Sequence, residues 1–323
     1  MLAFRFISIT SRHRKKSFQA TRKTDREDDS VALKTGIVLR GVGGFFDVRS
    51  DRGTVIRCRP RGRIRLDNIV IIAGDRVEYT LLEDGQGIIE NILPRSNMLT
   101  RPSLANVEQM IVVSACARPQ PEITLLDRLA VLSESNNIEP ILCFNKIDLV
   151  TDELPLKLAA IYKKAGYKTL KCSAKTGTGI EELRALLINR ISSFTGPSGV
   201  GKTSLLNALM PNLDLVTQEV SRKTGRGRQT TRQVALIELA PGSLIADTPG
   251  FSQLQLTGIE LQDLNHYFPE MRKHGEGCRF TSCLHRGEPG CAVKEAVEAG
   301  EIAQSRYRSY LILAKEIEQT RQY

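Results

Sequence analysis

No apolar run in the 323 residues approaches the ~18 that a membrane-spanning helix needs, which excludes an integral helical membrane protein. No apolar segment followed by a small-residue cleavage site stands near the start, so no secretory leader is expected. The seven cysteines are odd in number and unevenly spread, which argues against a disulfide framework and makes a reducing cytosol the default. Asp and Glu are missing from residues 1–24, which hold seven cations (Arg5, Arg12, Arg14, Lys15, Lys16, Arg22, Lys23). The formal net charge is +10, so only +3 belongs to residues 25–323. Residues 1–33 are therefore expected to be a basic, disordered arm. Three readings of it stay open: nucleic-acid contact, a merely solvated tail, or a short plastid import segment.

What is present centres on one stretch. Gly196, Pro197, Ser198, Gly199, Val200, Gly201, Lys202, Thr203 and Ser204 match G-x-x-x-x-G-K-[ST], the phosphate-binding loop. Its glycines let successive N–H groups converge on one anion. Lys202 would reach the β- and γ-phosphates, and Thr203 would ligate Mg²⁺. Ile191–Phe194 reads as the strand feeding the loop and Ser204–Met210 as the helix leaving it.

Residues 34–98 read as all-β, with short strands at 36–40, 45–48, 54–57, 68–72, 75–80 and 85–90 separated by Gly, Asp and Asn turns. That pattern suits a small barrel of the OB type. Arg57, Arg59, Arg61, Arg63 and Arg65 would put a basic stripe on one strand face, an RNA-binding feature. Aromatic platforms are scarce there (Phe45, Phe46, Tyr79), favouring contact with the nucleic-acid backbone over base reading. Residues 94–102 read as a linker by their prolines.

From residue 103 to 270 strands and helices alternate, implying a parallel sheet covered on both faces, with ligands at the carboxyl ends of its strands. Asn145, Lys146, Ile147 and Asp148 follow one buried strand; Ser173, Ala174 and Lys175 follow the next. A carboxylate at Asp148 would accept the N1 and N2 donors of guanine, and the Ser-Ala-Lys backbone would meet its O6. A site that pairs such groups rejects the wrong base, which would leave them unpaired. These base-reading motifs precede the phosphate loop, so the domain reads as circularly permuted; permutation is tolerated where termini lie close together at the surface.

Beyond the phosphate loop, Lys223–Thr231 reads as a mobile loop in which Thr230 or Thr231 would complete the Mg²⁺ shell. Asp247 would hold Mg²⁺, and the Gly250 N–H would sense the γ-phosphate. Phe251 occupies the place where a water-orienting Gln is expected, so Gln229 becomes the candidate for that role, with Lys202 and Thr231 as the other catalytic candidates. Cys278, Cys283, His285 and Cys291 bring three thiolates and one imidazole within fourteen residues. That set suits a closed, structural Zn²⁺ site in a mostly helical region, 271–323.

Together these motifs resemble the RsgA/YjeQ family over roughly residues 34–318. The carrying residues are Asn145-Lys-Ile-Asp148, Gly196 through Ser204, Gly225 through Thr231, Asp247 through Phe251, and the Cys278–Cys291 cluster. The resemblance implies a multidomain chain: an N-terminal OB domain, a central circularly permuted α/β GTPase domain and a C-terminal zinc domain. It also implies GTP and GDP as ligands, with Mg²⁺, and GTP hydrolysis stimulated by the small ribosomal subunit. The partners would be that subunit and its rRNA, met late in its assembly by a cytoplasmic monomer. Family members commonly carry His where this chain has Gln229, and Gln orients water but takes no proton at neutral pH. The rival expectation is a GTP-gated RNA-binding switch with negligible turnover.

Overall fold

Short strands with alternating burial open the chain. β1 (Lys34–Val42), β2 (Phe45–Ser50), β3 (Val55–Pro60), β4 (Arg76–Leu81) and β5 (Gly87–Ile92) close into a barrel of order β1-β2-β3-β5-β4. Val38, Val48, Cys58, Val77, Tyr79 and Ile89 point inward and fill it. The computed structural model describes residues 32–62, 64, 69–151, 153–211, 234–249 (backbone only at 248–249) and 254–320. The arm up to residue 31, Arg63, Arg65, Gln229, Thr230, Thr231, Gly250 and Phe251 lie outside the described residues.

Two local expectations change. Ile69–Ile72 is not a strand: Ile69 is 49% and Val70 69% exposed, and the segment's polar groups bind side chains and local turns rather than a neighbouring strand. Arg95 donates to the Val70 carbonyl at 2.7 Å, and the Asp75 carboxylate accepts the Ile72 N–H at 2.9 Å. The stretch read as a linker instead contains β6 (Met98–Thr100), which pairs with β7 (Ser103–Ala105) across a Pro102 turn. Leu99 and Leu104 are buried in the neighbouring core, so the prolines mark a tight turn on a packed hairpin.

β8 (Gln109–Ala115) and β9 (Glu139–Asn145) are near-continuous apolar runs, buried throughout apart from half-buried Glu139, as expected for central parallel strands. With β10 (Lys168–Lys171), β11 (Ile191–Thr195), β12 (Leu236–Ala240) and β13 (Ser243–Pro249) they form a sheet of order β10-β9-β8-β11-β13-β12. All neighbours are parallel except the edge pair β12–β13, an antiparallel hairpin. Helices α1 (Ile123–Ser135) and α2 (Leu154–Lys164) bury Leu126, Leu129, Leu158 and Tyr162 on one face. Helices α3 (Ile180–Leu187) and α4 (Lys202–Leu209) bury Leu183, Leu187, Leu205 and Leu209 on the other. Each such leucine contributes about 1.5–3 kcal/mol by leaving water.

Helices α5 (Pro269–Gly275), α6 (Ala292–Glu298) and α7 (Gln304–Thr320) finish the chain. Ile302, Tyr310, Leu313 and Ile317, expected on one apolar side, are all buried, and they share a core with Val131 and Leu132 of α1. The barrel meets the sheet through a specific ion pair: Arg49 of β2 donates to Glu238 of β12 at 2.7 Å.

Candidate functional site

The winding of the sheet reverses between β8 and β11, and the crevice at the carboxyl ends there is where open α/β sheets bind ligands. The sequence-predicted motifs converge on it. β9 ends at Asn145, β10 runs into Ser173, β11 feeds the loop from Gly196, and β13 carries Asp247. Two glycines are there for space. At Gly196 (φ +141°) a Cβ would sit 2.2 Å from the Val113 carbonyl oxygen of β8. At Gly201 (φ +95°) it would sit 2.4 Å from Asn145 Nδ2.

Asn145, 1% exposed, joins the motifs. Its Nδ2 donates to the Val200 carbonyl at 2.9 Å, and its Oδ1 accepts the Ala174 N–H at 3.3 Å. Lys146, in the left-handed region (φ +62°), sends Nζ to the carbonyls of Gly199 and Arg118, each at 2.6 Å. Ser173 Oγ donates to Asp148 Oδ1 at 2.6 Å and accepts the Thr176 N–H at 3.2 Å, which fixes one oxygen of an otherwise exposed carboxylate. Lys202 opens α4, and its ammonium is turned onto the Gly196 and Pro197 carbonyls at 2.7 and 2.8 Å; burial lowers its pKa from the usual lysine value. Thr203 lies in the first turn of the same helix. Asp247 and Ala235 are tied twice: the Asp247 N–H donates to the Ala235 carbonyl at 2.9 Å, and the Ala235 N–H donates to Asp247 Oδ1 at 3.0 Å.

Cys278, Cys283, His285 and Cys291 form a second site, with donor atoms all within 4.8 Å of one another. His285 Nδ1 lies 3.5 Å from both Cys278 Sγ and Cys291 Sγ, close to the roughly 3.5–3.8 Å edges of a tetrahedral zinc shell. Burial lowers the His285 pKa, keeping the imidazole in its neutral, ligating form. The far side of the ring completes the test of fit. Asn265 Nδ2 is placed 3.3 Å from His285 Nε2, while Asn265 Oδ1 is buried without a hydrogen-bond partner. Metal on Nδ1 leaves a proton on Nε2, and turning the Asn265 amide over satisfies that N–H and the orphaned oxygen together. The donor set therefore fits zinc.

The loop is braced from behind. Burial alone would raise the Glu288 pKa, but backbone N–H groups of Gly287, Glu288, Leu284 and Arg286 outweigh it and pull it to about 2. Tyr307 and Tyr310 donate to the carbonyls of His285 and Leu284 at 2.6 and 2.9 Å.

Of the basic stripe, Arg57 and Arg59 project from the outer face of β3, with Arg57 5.0 Å over the Phe45 ring, and exposed Arg61 pairs with Glu90. Three residues escaped sequence reading. Arg118 follows β8, where the rule that ligands gather at strand carboxyl ends would have flagged it. Asn265 and the buried Arg306 had no local signal, since their partners lie 20 or more residues away.

The RsgA GTPase family model matches residues 92–257, and the RsgA N-terminal domain model matches 35–89. The "Small ribosomal subunit biogenesis GTPase RsgA" of Moorella thermoacetica is 51% identical over 282 residues, 87% of this chain and 97% of that protein. The protein of the same name from Thermotoga petrophila is 45% identical over 289 residues, 88% and 97% of the two chains. Among solved structures, YjeQ from Thermotoga maritima aligns with TM-score 0.78 at 42% identity, over 88% of this chain and 99% of that one. YloQ, described as a circularly permuted GTPase, aligns with TM-score 0.79 at 36% identity, over 91% and 98%.

Proposed function

Because the chain belongs to the RsgA GTPase family, we propose that it hydrolyses GTP while bound to the small ribosomal subunit and assists that subunit's late maturation. The observation that carries this reading is Asn145, whose amide links the phosphate loop to the Ser173–Lys175 loop, so that base and phosphates are read by one connected site. In it Asp148, steadied by Ser173, takes the guanine N1 and N2 donors. Ile147 and the backbone of Ala174 and Lys175 complete the base pocket. Lys146 covers the base with its stem while its ammonium braces the phosphate loop. Lys202 exchanges two loop carbonyls for phosphate oxygens when nucleotide arrives.

Thr203 and Asp247 are the proposed magnesium ligands; the ion would neutralise charge on the phosphates. Cys278, Cys283, His285 and Cys291 would hold zinc as a structural clamp with no open position. Gln229, Thr230, Thr231 and Gly250, outside the described residues, keep their proposed roles in water positioning, magnesium binding and γ-phosphate sensing. The division into 34–98, 103–270 and 271–323 is proposed with them, the barrel and the zinc region both gripping rRNA in a cytoplasmic monomer. No helix among the described residues is long and apolar enough to cross a membrane.

The reading is tested by GTP turnover with and without purified small ribosomal subunits, with Lys202→Ala as the blank. Strong stimulation is expected. Unstimulated, negligible turnover alongside GTP-dependent subunit binding would instead establish a switch without catalysis.

A further inference from the structure

Arg118 stands at the rim of the nucleotide crevice in a way the base and phosphate motifs do not account for. It is exposed and left-handed (φ +48°), a conformation uncommon for a residue with a side chain. Its carbonyl is held by the Lys146 ammonium, which at the same 2.6 Å holds the Gly199 carbonyl in the middle of the phosphate loop. The next residue, Pro119, comes within 3.8 Å of the position a Cβ on Gly199 would take. The backbone of Arg118 is thus fixed against the phosphate loop itself. Among the described residues its guanidinium has no hydrogen-bond or ion-pair partner. Lys202, the loop's own cation, is turned inward onto the Gly196 and Pro197 carbonyls, whereas the Arg118 guanidinium engages no protein group among the described residues.

We propose that Arg118 is a catalytic residue of the GTPase reaction, an arginine supplied by the chain itself that contacts the β- and γ-phosphate oxygens as their charge shifts in the transition state. The proposal rests on the GTPase reading above. In the step it serves, a water oxygen bonds to the γ-phosphorus and the bond from that phosphorus to the β–γ bridging oxygen breaks. The electron pair leaves on GDP, and the water's proton ends on inorganic phosphate. Protein chemistry contributes little here beyond position and charge, and a planar fork of N–H donors suits the charge moving onto the bridging oxygen. A group fixed by its backbone and free at its tip meets that need without rearranging the loop.

The experiment uses the full chain with small ribosomal subunits and compares wild type with Arg118→Gln and Arg118→Lys. GTP turnover, GDP affinity and affinity for GDP with aluminium fluoride are measured for each. The expected result for Arg118→Gln is a fall in kcat of roughly tenfold or more, with GDP affinity within about threefold of wild type. Affinity for the fluoride complex should fall in step with kcat, and Arg118→Lys should recover part of both. Free guanidinium ion should partly restore Arg118→Gln. Unchanged kcat, or equal losses of GDP and fluoride-complex affinity at constant kcat, would overturn the role while leaving the GTPase reading intact. A wild-type protein that never turns over GTP would overturn both.

Discussion

Arg306 and Asp127 are separated by 179 residues of sequence and by 2.6 Å in space, and neither side chain has any exposure to solvent. The same guanidinium takes both oxygens of Glu270, at 2.6 and 3.0 Å, and lies over the rings of Phe268, Tyr167 and Tyr162 at 4.6, 5.2 and 5.4 Å. Tyr162 adds a hydrogen bond to Asp127 at 2.7 Å. The C-terminal helix is therefore fastened to α1, on the face of the sheet, and to α5 by a buried ion cluster. Burial alone would lower the Arg306 pKa, but Asp127, Tyr167 and Glu270 overcome it and hold the cation charged.

Removing the cation leaves two carboxylates stranded. Arg306→Ala should cost about 3–5 kcal/mol, the range for breaking a buried pair. Tyr162→Phe, which removes one hydrogen bond, should cost about 1 kcal/mol. Urea unfolding of both variants checks the contrast; a loss below about 1 kcal/mol for Arg306→Ala would contradict the clasp.

Gly196→Ala should disable nucleotide binding, because its Cβ would press on the backbone oxygen of Val113 at 2.2 Å and neither strand can yield without moving the loop. A loss of GDP affinity of roughly a hundredfold is expected, about 3 kcal/mol. Gly300→Ala is the control. That glycine also has positive φ (+71°) but faces open space, so only the backbone preference of about 1 kcal/mol is lost and GDP binding stays. Calorimetric titration with GDP separates the two.

For the zinc region, Cys283→Ser should remove stoichiometric metal, while Asn265→Ala should weaken retention about 10–100-fold by taking away the acceptor behind His285. Asn265→Asp keeps an acceptor and should retain the ion. Zinc release under a graded chelator series measures all three; equal retention in Asn265→Ala and wild type would remove Asn265 from the site.

Glu134, half-buried on α1, provides a pH test. Burial raises its carboxyl above the ordinary 4.5, against the pull of Arg272 and Arg306. The folded state therefore holds that proton more tightly than the unfolded chain. Its contribution is fully present below the ordinary value and is lost as pH rises through the folded one. Glu134→Gln should raise Tm by about a degree or two at pH ~7 and leave it unchanged at about pH 4. Scanning calorimetry at both pH values decides it.

Much of the fold was legible in the residues. β8 and β9 announce themselves as apolar runs, and the phosphate loop, Asn145–Asp148 and Ser173–Lys175 sit at strand ends as their motifs require. The cysteine cluster was legible from spacing alone. What escaped depends on contacts distant in sequence. Arg306 lies in a run, Ser305-Arg-Tyr-Arg-Ser309, that reads like a solvated helix face until Asp127 and Glu270 are brought to it. Ile69–Ile72 has strand composition, yet Arg95 and Asp75 take its polar groups. The Pro94–Pro102 stretch reads as a spacer because the burial of Leu99 is set by the neighbouring domain core.

The strand order has a consequence for how the molecule is made. β8, β9 and β10 are consecutive in the chain and adjacent in the sheet, whereas β11, which docks on β8 and bears the phosphate loop, comes later. Chains fold from the N-terminus as they emerge during translation. The ribosome therefore makes the loops proposed to choose the base before the loop proposed to grip phosphate. Of the two carbonyls that Lys146 holds, that of Arg118 precedes it in the chain and that of Gly199 follows it by 53 residues. Until β11 is made and docks on β8, the crevice lacks one of its two walls, so the proposed site is completed only by a strand that comes late in the chain.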